Sequence, residues 1–228
     1  MKQFLKLILN RLSNFLLALS LKVDLIGSRC YEPVSINGRL LCSAKRDWQE
    51  RLEAIHSIVE RHSVNSVIDI GCAEGYFLRS LAKSNLSFCL GIDTNKSRLG
   101  KAVVSSCYDS DINLAFMNKK ITLDNISEIP NADLIIFLSV AHHIIKSNGY
   151  EYAVSFVSSL RKKCNFGLIF EMGTPDERSF IGRMKPIETT QSDYVESFLH
   201  DCGFISCTII CESVSIQRDS HRLLYFCK

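Results

Sequence analysis

Apolar and polar positions alternate along this chain in the pattern of a parallel α/β sheet. Short β-branched runs, typical of buried strands, are separated by stretches whose apolar residues recur every three or four positions, as in amphipathic helices. The run at 132–139 is the most strand-like in the chain, which predicts a central strand covered on both faces. The predicted strands are residues 67–70, 88–92, 113–117, 132–139, 166–172, 205–211 and 222–227.

The helices predicted between these strands complete a doubly wound order. A short amphipathic helix follows the first strand, and Gly203 provides the C-terminal stop of the last one. The pattern therefore predicts an α/β fold with a Rossmann-like, doubly wound sheet of seven strands. The longer predicted helices are residues 47–62, 96–106, 150–163 and 192–202.

One turn in this pattern carries most of the chemical information. The first strand ends in a turn with glycines at 71 and 75, and an acid, Asp69, stands two residues before the first of them. Dinucleotide sites use the spacing G-x-G-x-x-G to bring backbone amides against a pyrophosphate. The spacing here is G-x-x-x-G, and an extra carboxylate would repel a pyrophosphate but attract an ammonium or a sulfonium. The turn therefore argues against NAD.

This turn resembles motif I of the class I S-adenosylmethionine-dependent methyltransferases, usually written D/E-x-G-x-G-x-G. Ala73 replaces the middle glycine, a difference of one methyl group. The resemblance implies S-adenosylmethionine (SAM) as cofactor and a last strand inserted antiparallel to the others. It also implies that Asp69 holds the methionine ammonium and that Asp93, at the tip of the second strand, binds the ribose hydroxyls. The other cofactor-binding residues it implies are Gly71, Cys72, Ala73, Gly75, Asn118 at the adenine edge, and Ser139.

Two adjacent histidines follow the central strand, at the sheet edge where open α/β folds bind their ligands. The segment from Ser139 to Ile144 resembles motif IV of the same family, which lies beneath the sulfonium. An imidazole there could remove a proton from the acceptor at neutral pH, because its ordinary pKa is about 6.5. His142 and His143 are therefore the candidate catalytic bases. They should point in different directions, and a structural or cofactor-packing role is the alternative.

About the last 160 residues of the chain resemble the methyltransferase domain of bacterial enzymes that terminate O-antigen chains. That resemblance implies a terminal sugar, or a phosphate on it, as the methyl acceptor. We predict that Glu171, Arg178 and Arg183 bind this acceptor, since guanidinium groups beside the expected site suit a phosphate or an acidic sugar. A solvated loop is the alternative for these cations. The segments that carry the resemblance are residues 139–144, 167–173, 194–204 and 222–226.

Other functions remain open on the sequence. A small-molecule O-methyltransferase would need the same cofactor motifs. An RNA methyltransferase would need a broad basic face, whereas the net charge is only +3, so nucleic acid is not an expected partner. A pseudoenzyme would keep the fold as an interaction module, but the intact acids and glycines of the cofactor motifs argue against it.

The first 27 residues are predicted to form an amphipathic helical extension. Apolar residues recur at helical spacing, and Lys2, Lys6, Arg11 and Lys22 fall among the polar positions. Polar interruptions leave the run short of the roughly 20 apolar residues that a membrane span needs, and no convincing signal-peptide cleavage site follows. We expect the helix either to lie on an anionic membrane surface or to pack on the domain or a partner subunit.

Composition indicates one catalytic domain in a reducing compartment. A chain of 228 residues suits a single α/β core with an extension. We divide it into a lead-in of residues 1–45 and a methyltransferase domain of residues 46–228. The ten cysteines form no C-x-x-C pair, so we expect reduced thiols and no metal site. The expected location is the cytoplasm, at the inner membrane surface if residues 1–27 lie on lipid.

Four aromatic or basic residues near the start of the domain are candidates to cover the cofactor, as N-terminal segments do in this family. For Trp48, which shares a helical face with Leu52 and Ile55, a position in the core is favoured. The four are Tyr31, Arg39, Arg46 and Trp48.

Overall fold

The computed structural model describes most of the chain. It covers residues 2–25, 30–44, 47–84, 86–109, 112–175, 177, 190–214 and 221–228. Two of the predicted acceptor-binding residues, Arg178 and Arg183, lie outside the described residues, and so does Arg46.

The described strands form a hairpin and a seven-stranded sheet. They are β1 (Val34–Ile36), β2 (Arg39–Cys42), β3 (Ser66–Ile70), β4 (Phe88–Asp93), β5 (Leu114–Asn118), β6 (Ala132–Leu138), β7 (Cys164–Glu171), β8 (Cys207–Val214) and β9 (His221–Cys227). The large sheet has the order β5-β4-β3-β6-β7-β9-β8. Its neighbours are parallel except at β9, which runs antiparallel to β7 and β8. The predicted doubly wound α/β sheet with an antiparallel last strand is confirmed.

The described helices lie between these strands and before them. They are α1 (Lys2–Leu25), α2 (Gln49–Arg61), α3 (Tyr76–Ala82), α4 (Lys96–Ser106), α5 (Ala141–Asn148), α6 (Tyr150–Arg161) and α7 (Gln191–Asp201), with a 3-10 turn at Ile126–Glu128. Each predicted helix is found within two residues of its expected ends. The sequence analysis missed α5 and the β1–β2 hairpin, because both are short and neither shows a full period of apolar residues.

The two faces of the sheet are buried by different helices, as the pattern of β6 requires. Ile135 and Phe137 belong to one core with side chains of α6 and α7, whereas Leu134 and Ile136 belong to the other with side chains of α2 and α3. All four are completely buried. A strand that packs on both faces reads as a continuous apolar run, and this is why β6 could be identified as central.

Helix α1 packs on the rest of the chain through one face. Leu21 is buried in a small cluster with Cys30, Val34 and Ile36 around the hairpin. The predicted N-terminal helix is therefore confirmed, while the domain division at residue 45 stays a prediction. Within the described residues, no helix combines the length and apolarity needed to traverse a bilayer. A second face of α1 carries apolar side chains that are about half exposed: Leu12, Phe15, Leu16, Leu19 and Val23.

Candidate cofactor and active site

A cavity of about 430 Å³ lies at the carboxyl ends of β3, β4 and β6. This size is within the range of small-molecule and cofactor sites. Gly71 and Ala73 of the glycine turn, Asp93 and Ser139 all line it, together with Tyr31 from the lead-in. The structure thus brings four of the eight predicted cofactor residues to a single cavity.

The glycine turn is shaped by left-handed backbone at alternate positions. Gly71, Ala73 and Gly75 have φ values of 87°, 48° and 71°. A Cβ on Gly71 would lie 2.5 Å from the Cγ2 of Val140, so glycine is required there for space as well as for conformation. Ala73 adopts left-handed backbone although it is not glycine, at a cost of about 1–2 kcal/mol. All three motif positions of the turn are therefore left-handed.

Asp93 is the anchor between the turn and the cavity. Its Oδ2 accepts a hydrogen bond of 2.8 Å from the Ala73 amide, and its Oδ1 accepts one of 2.7 Å from the Asn95 amide. Each carboxylate oxygen has two lone pairs, so one on each remains for a ligand hydroxyl. The cap of α4 is provided by the Asn95 side chain. The position of Asp93 therefore suits the bidentate binding of ribose hydroxyls.

Three predicted cofactor residues lie near the cavity without lining it. Asn118 turns toward β4, where its Nδ2 donates to the Asp93 carbonyl at 2.8 Å, and residues 119–122 line the cavity instead. The Cys72 side chain is completely buried between β3 and β4, close to Gly91. A Cβ on Gly75 would lie 2.7 Å from the Phe116 ring, so this glycine allows α3 to pack closely. Their direct contact with the cofactor is not supported by these positions.

Asp69 lies behind the glycine turn rather than on the cavity wall. It is only 2% exposed, and within the described part of the chain no hydrogen bond to its carboxylate is found. Burial, followed by the charge of Asp93, raises the pKa of Asp69 to about 8. A carboxylate in this state favours a nearby cation, as the predicted ammonium site requires.

The two histidines differ in their surroundings, as expected for adjacent residues. His142 is buried, and its Nδ1 accepts a hydrogen bond of 2.8 Å from the Gly173 amide. His143 lies at the rim of the cavity and lines it. Desolvation of the ring and the positive charges of Arg222 and Lys146 lower the pKa of His143. Of the pair, His143 therefore has the position and the neutral state of a base, and His142 joins α5 to the segment after β7.

Ser139 and Glu171 belong to a buried network that the sequence analysis did not find. The Ser139 hydroxyl donates to Glu171 at 2.6 Å and accepts from Arg222 at 2.9 Å. Arg222 also binds both carboxylate oxygens of Glu177, at 2.7 and 2.6 Å. Glu171 is completely buried and also lies 3.5 Å from Arg51. Its burial favours positioning of Ser139 over the predicted contact with an acceptor.

Arg222 reaches the site because of the antiparallel last strand. A strand that runs against its neighbours places its first residues at the edge where they place their last. Arg222 is the second residue of β9, next to the tips of β6 and β7. In the sequence, the one signal that could have identified Arg222 as a site residue was its position as a lone arginine at the start of the predicted last strand.

The lead-in contributes one wall of the cavity. Tyr31 lines it, and the Arg98 guanidinium lies 5.0 Å from the centre of the Tyr31 ring. Trp48 packs edge-on against Tyr76 at 4.8 Å and joins the core beside α2 and α3, as favoured above. Arg39 is exposed in the hairpin. Of the four candidates for covering the cofactor, Tyr31 is thus the one that the described residues place at the cavity.

The described side chains offer no evident metal centre. The ten cysteines are free thiols, and within the described ranges no three metal-binding side chains converge. The expectation that the protein carries no metal stays a prediction.

No protein-family model matches the chain. A search of curated proteins finds the O-antigen chain terminator bifunctional methyltransferase/kinase WbdD of Escherichia coli, 26% identical over 168 residues. The match covers 71% of this chain and 22% of WbdD, so the chain spans about a fifth of that relative's length.

Solved structures with the same fold include methyltransferases. A 2.2 Å crystal structure of WbdD aligns with a TM-score of 0.73 at 22% identity, covering 91% of this chain and 46% of that one. The N-terminal domain of EvdMO1, crystallised in the presence of S-adenosylhomocysteine (SAH) and D-fucose, has a TM-score of 0.63 at 11% identity and covers 91% and 94%. Magnesium protoporphyrin IX methyltransferase of Synechocystis PCC 6803, with bound SAH, has a TM-score of 0.56 at 18% identity and covers 78% and 82%.

The comparisons and the site agree on the cofactor. The chain has the class I methyltransferase fold and resembles the methyltransferase part of WbdD. The residues present fit SAM on two observations: Asp93 offers open lone pairs to the cavity, and Asp69 behind the turn is buried without a donor.

Proposed function

We propose that this chain, a class I methyltransferase that uses SAM, methylates a hydroxyl or a phosphate of a sugar during surface-glycan assembly. The observation that carries the proposal is one cavity lined by both a ribose-binding acid, Asp93, and a neutral imidazole, His143. The relative named as an O-antigen chain terminator and the structure solved with D-fucose support a sugar as the acceptor.

The proposed chemistry requires little from the protein beyond orientation. SAM supplies an activated methyl group on a sulfonium, and transfer is an in-line displacement. Asp93 would fix the ribose, and Ser139, held by Glu171 and Arg222, would keep the tip of β6 in place beneath the reacting atoms. Holding the acceptor oxygen in line near attack distance accounts for most of the acceleration. A sugar hydroxyl must also lose a proton, which neutral His143 can accept, whereas an ionised phosphate needs no base.

The acceptor can be tested by label transfer. We expect the purified chain, given SAM with a labelled methyl group, to methylate a hexose glycoside or a hexose phosphate and not a catechol. If the acceptor is a hydroxyl, His143→Gln should lower kcat about 100-fold while SAH affinity is kept. The activity of the wild-type chain should then persist below the ordinary imidazole pKa, because the pKa of His143 is lowered, and it should fall at more acidic pH as His143 becomes protonated.

His56→Gln, on α2, is the matched control and should leave kcat unchanged. Label entering the catechol but none of the sugars would contradict the glycan proposal and favour a small-molecule O-methyltransferase. An unchanged kcat for His143→Gln on a hydroxyl acceptor would remove His143 from the proton transfer.

We propose further that α1 lies on an anionic membrane surface. Its half-exposed apolar side chains at 12, 15, 16, 19 and 23 fall on one stripe of the helix. The helix carries four basic residues and one acid, so two copies of α1 would repel each other, whereas anionic lipids would attract it. An exposed apolar stripe and an excess of basic residues are the two features that characterise interfacial helices.

Membrane contact can be measured by co-sedimentation with vesicles. We expect the chain to bind phosphatidylcholine vesicles that contain phosphatidylglycerol, and to bind pure phosphatidylcholine vesicles more weakly. Replacing Leu16 and Leu19 by aspartate should lower the binding about 30-fold or more, since each leucine contributes roughly 1 kcal/mol or more when buried in lipid. Ile205→Asp, at a residue that is 90% exposed, should have no effect. If the wild-type chain did not bind vesicles but formed dimers, and the double variant were monomeric, the apolar stripe would be an interface with a second copy of the chain instead.

A further inference from the structure

The lead-in is held against the glycine turn by two buried glutamates. Glu32 accepts a hydrogen bond of 2.8 Å from the amide of Tyr76, the first residue of α3. Glu74, in the turn, accepts bonds from the amides of Tyr31 and Glu32 at 3.2 and 2.9 Å. Residues 31–32 and 74–76 are thus joined in both directions. This reciprocal pairing places the Glu32 carboxylate behind the turn. Its neighbour in sequence, Tyr31, lines the cavity.

The pairing concentrates negative charge in a region that excludes water. Glu32, Asp69 and Glu74 are 6%, 2% and 2% exposed. Asp69 points to the face of β3 that α2 and α3 cover, the side opposite Ile68 and Ile70. Its carboxylate receives no hydrogen bond within the described part of the chain. Such a group is costly unless a cation or a proton compensates it.

The nearby cation is already engaged. Arg51 offsets part of the charge on Glu32, but its guanidinium lies 3.5 Å from Glu171 and 5.1 Å from the centre of the Phe77 ring. Burial, followed by the negative charge of Asp69 and also that of Glu74, raises the pKa of Glu32 well above its usual range, against the effect of the Tyr76 amide. The cluster therefore has room for one more positive charge.

We infer that Glu32 acts on the cofactor through its charge: together with Asp69, behind the glycine turn, it balances the positive charge on the methionine moiety of SAM, so that the lead-in completes the cofactor site. This inference rests on the proposed use of SAM. Two positions support it: Tyr31, adjacent to Glu32, lines the cavity, and so do Gly71 and Ala73 of the turn against which the lead-in is held. Arrival of the ammonium stabilises the ionised carboxylates, so binding should release protons.

Two ligands that differ in the ammonium test this role. SAH carries the amino-acid group, whereas 5′-methylthioadenosine has the same adenosine and thioether without it. By calorimetry at pH 7, Glu32→Gln should weaken SAH binding about tenfold, equivalent to about 1.4 kcal/mol, and leave 5′-methylthioadenosine binding unchanged. Wild-type binding of SAH should release protons, seen as a dependence of the heat on the buffer, and the variant should release fewer.

Matched variants separate charge from structure. Glu74→Gln loosens the pairing but keeps Glu32, so it should affect both ligands alike, and Glu60→Gln, exposed on α2, should affect neither. Melting temperatures verify that each variant is folded. An equal loss of both ligands in Glu32→Gln, or unchanged SAH binding, would overturn the role of Glu32 while leaving SAM use intact. Failure of the wild-type chain to bind either ligand would instead refute the proposed function.

Discussion

Replacing Asp93 with alanine is expected to weaken the binding of SAM and SAH by a factor of about 100 or more. Two ribose hydroxyls would lose a carboxylate acceptor, and each such charge-assisted bond contributes about 1.5–3 kcal/mol. The Ala73 amide would also lose its 2.8 Å acceptor, so the turn itself would be less well held. Calorimetric titration with SAH measures the loss directly.

Asp133→Ala is the matched control for this change. Asp133 also accepts two backbone bonds at the end of a strand, from the amides of Asn65 and Ser66 at 2.9 and 3.1 Å. It lies at the opposite edge of the sheet, so its loss should lower stability without changing SAH affinity. If Asp93→Ala bound SAH as the wild type does, the assignment of the ribose-binding acid would be wrong.

Replacing Gly71 with alanine is expected to abolish measurable cofactor binding and to lower the free energy of unfolding by about 2–5 kcal/mol. The left-handed conformation costs an L-residue about 1–2 kcal/mol. The new Cβ, only 2.5 Å from Val140, adds the cost of overpacking, about 1–3 kcal/mol. Because Gly71 and Val140 both line the cavity, relief of this contact must move one of its walls.

Gly38→Ala separates these two costs. Gly38 has a similar φ of 74°, but nothing lies within 4 Å of the position its Cβ would take. Gly38→Ala should therefore lower the free energy of unfolding only by the cost of left-handed backbone, about 1–2 kcal/mol, and should leave SAH affinity unchanged. Adding Val140→Ala to Gly71→Ala should recover part of the stability, as chemical denaturation would measure. If Gly71→Ala were no worse than Gly38→Ala, the close approach of Val140 would not matter.

The cofactor half of the site was accessible to sequence analysis because its residues are neighbours along the chain. The left-handed turn depends on glycines at fixed positions, and Asp93 follows a short apolar run of the length typical of a strand, so both features are local. The direction in which a single side chain points could not be predicted in the same way. Asn118 was placed at the adenine edge from its position at the end of β5, but the direction of a side chain at a strand end depends on its partner, here the Asp93 carbonyl.

The acceptor half was less accessible because its residues meet only through the sheet order. Arg222 and Ser139 are 83 residues apart, and their hydrogen bond exists because β9 enters the sheet antiparallel beside β7. The histidines show the same limit. Adjacent in sequence, they were equal candidates, and the missed helix α5 buries His142 and leaves His143 at the cavity.

The sequence by itself determined where the strands of the sheet lie, the cofactor turn and the acid at the tip of β4, since each follows from hydrophobic period and backbone sterics within a few residues. The tertiary structure alone decided which carboxylates share a buried site. Glu32 and Glu74 are 42 residues apart; Glu32 lies outside the recognised motifs, and Glu74 occupies a variable position of the glycine turn. Their pairing, and the raised pKa of Asp69 behind them, arise from burial and from charges brought close by folding, and neither quantity is encoded at short range.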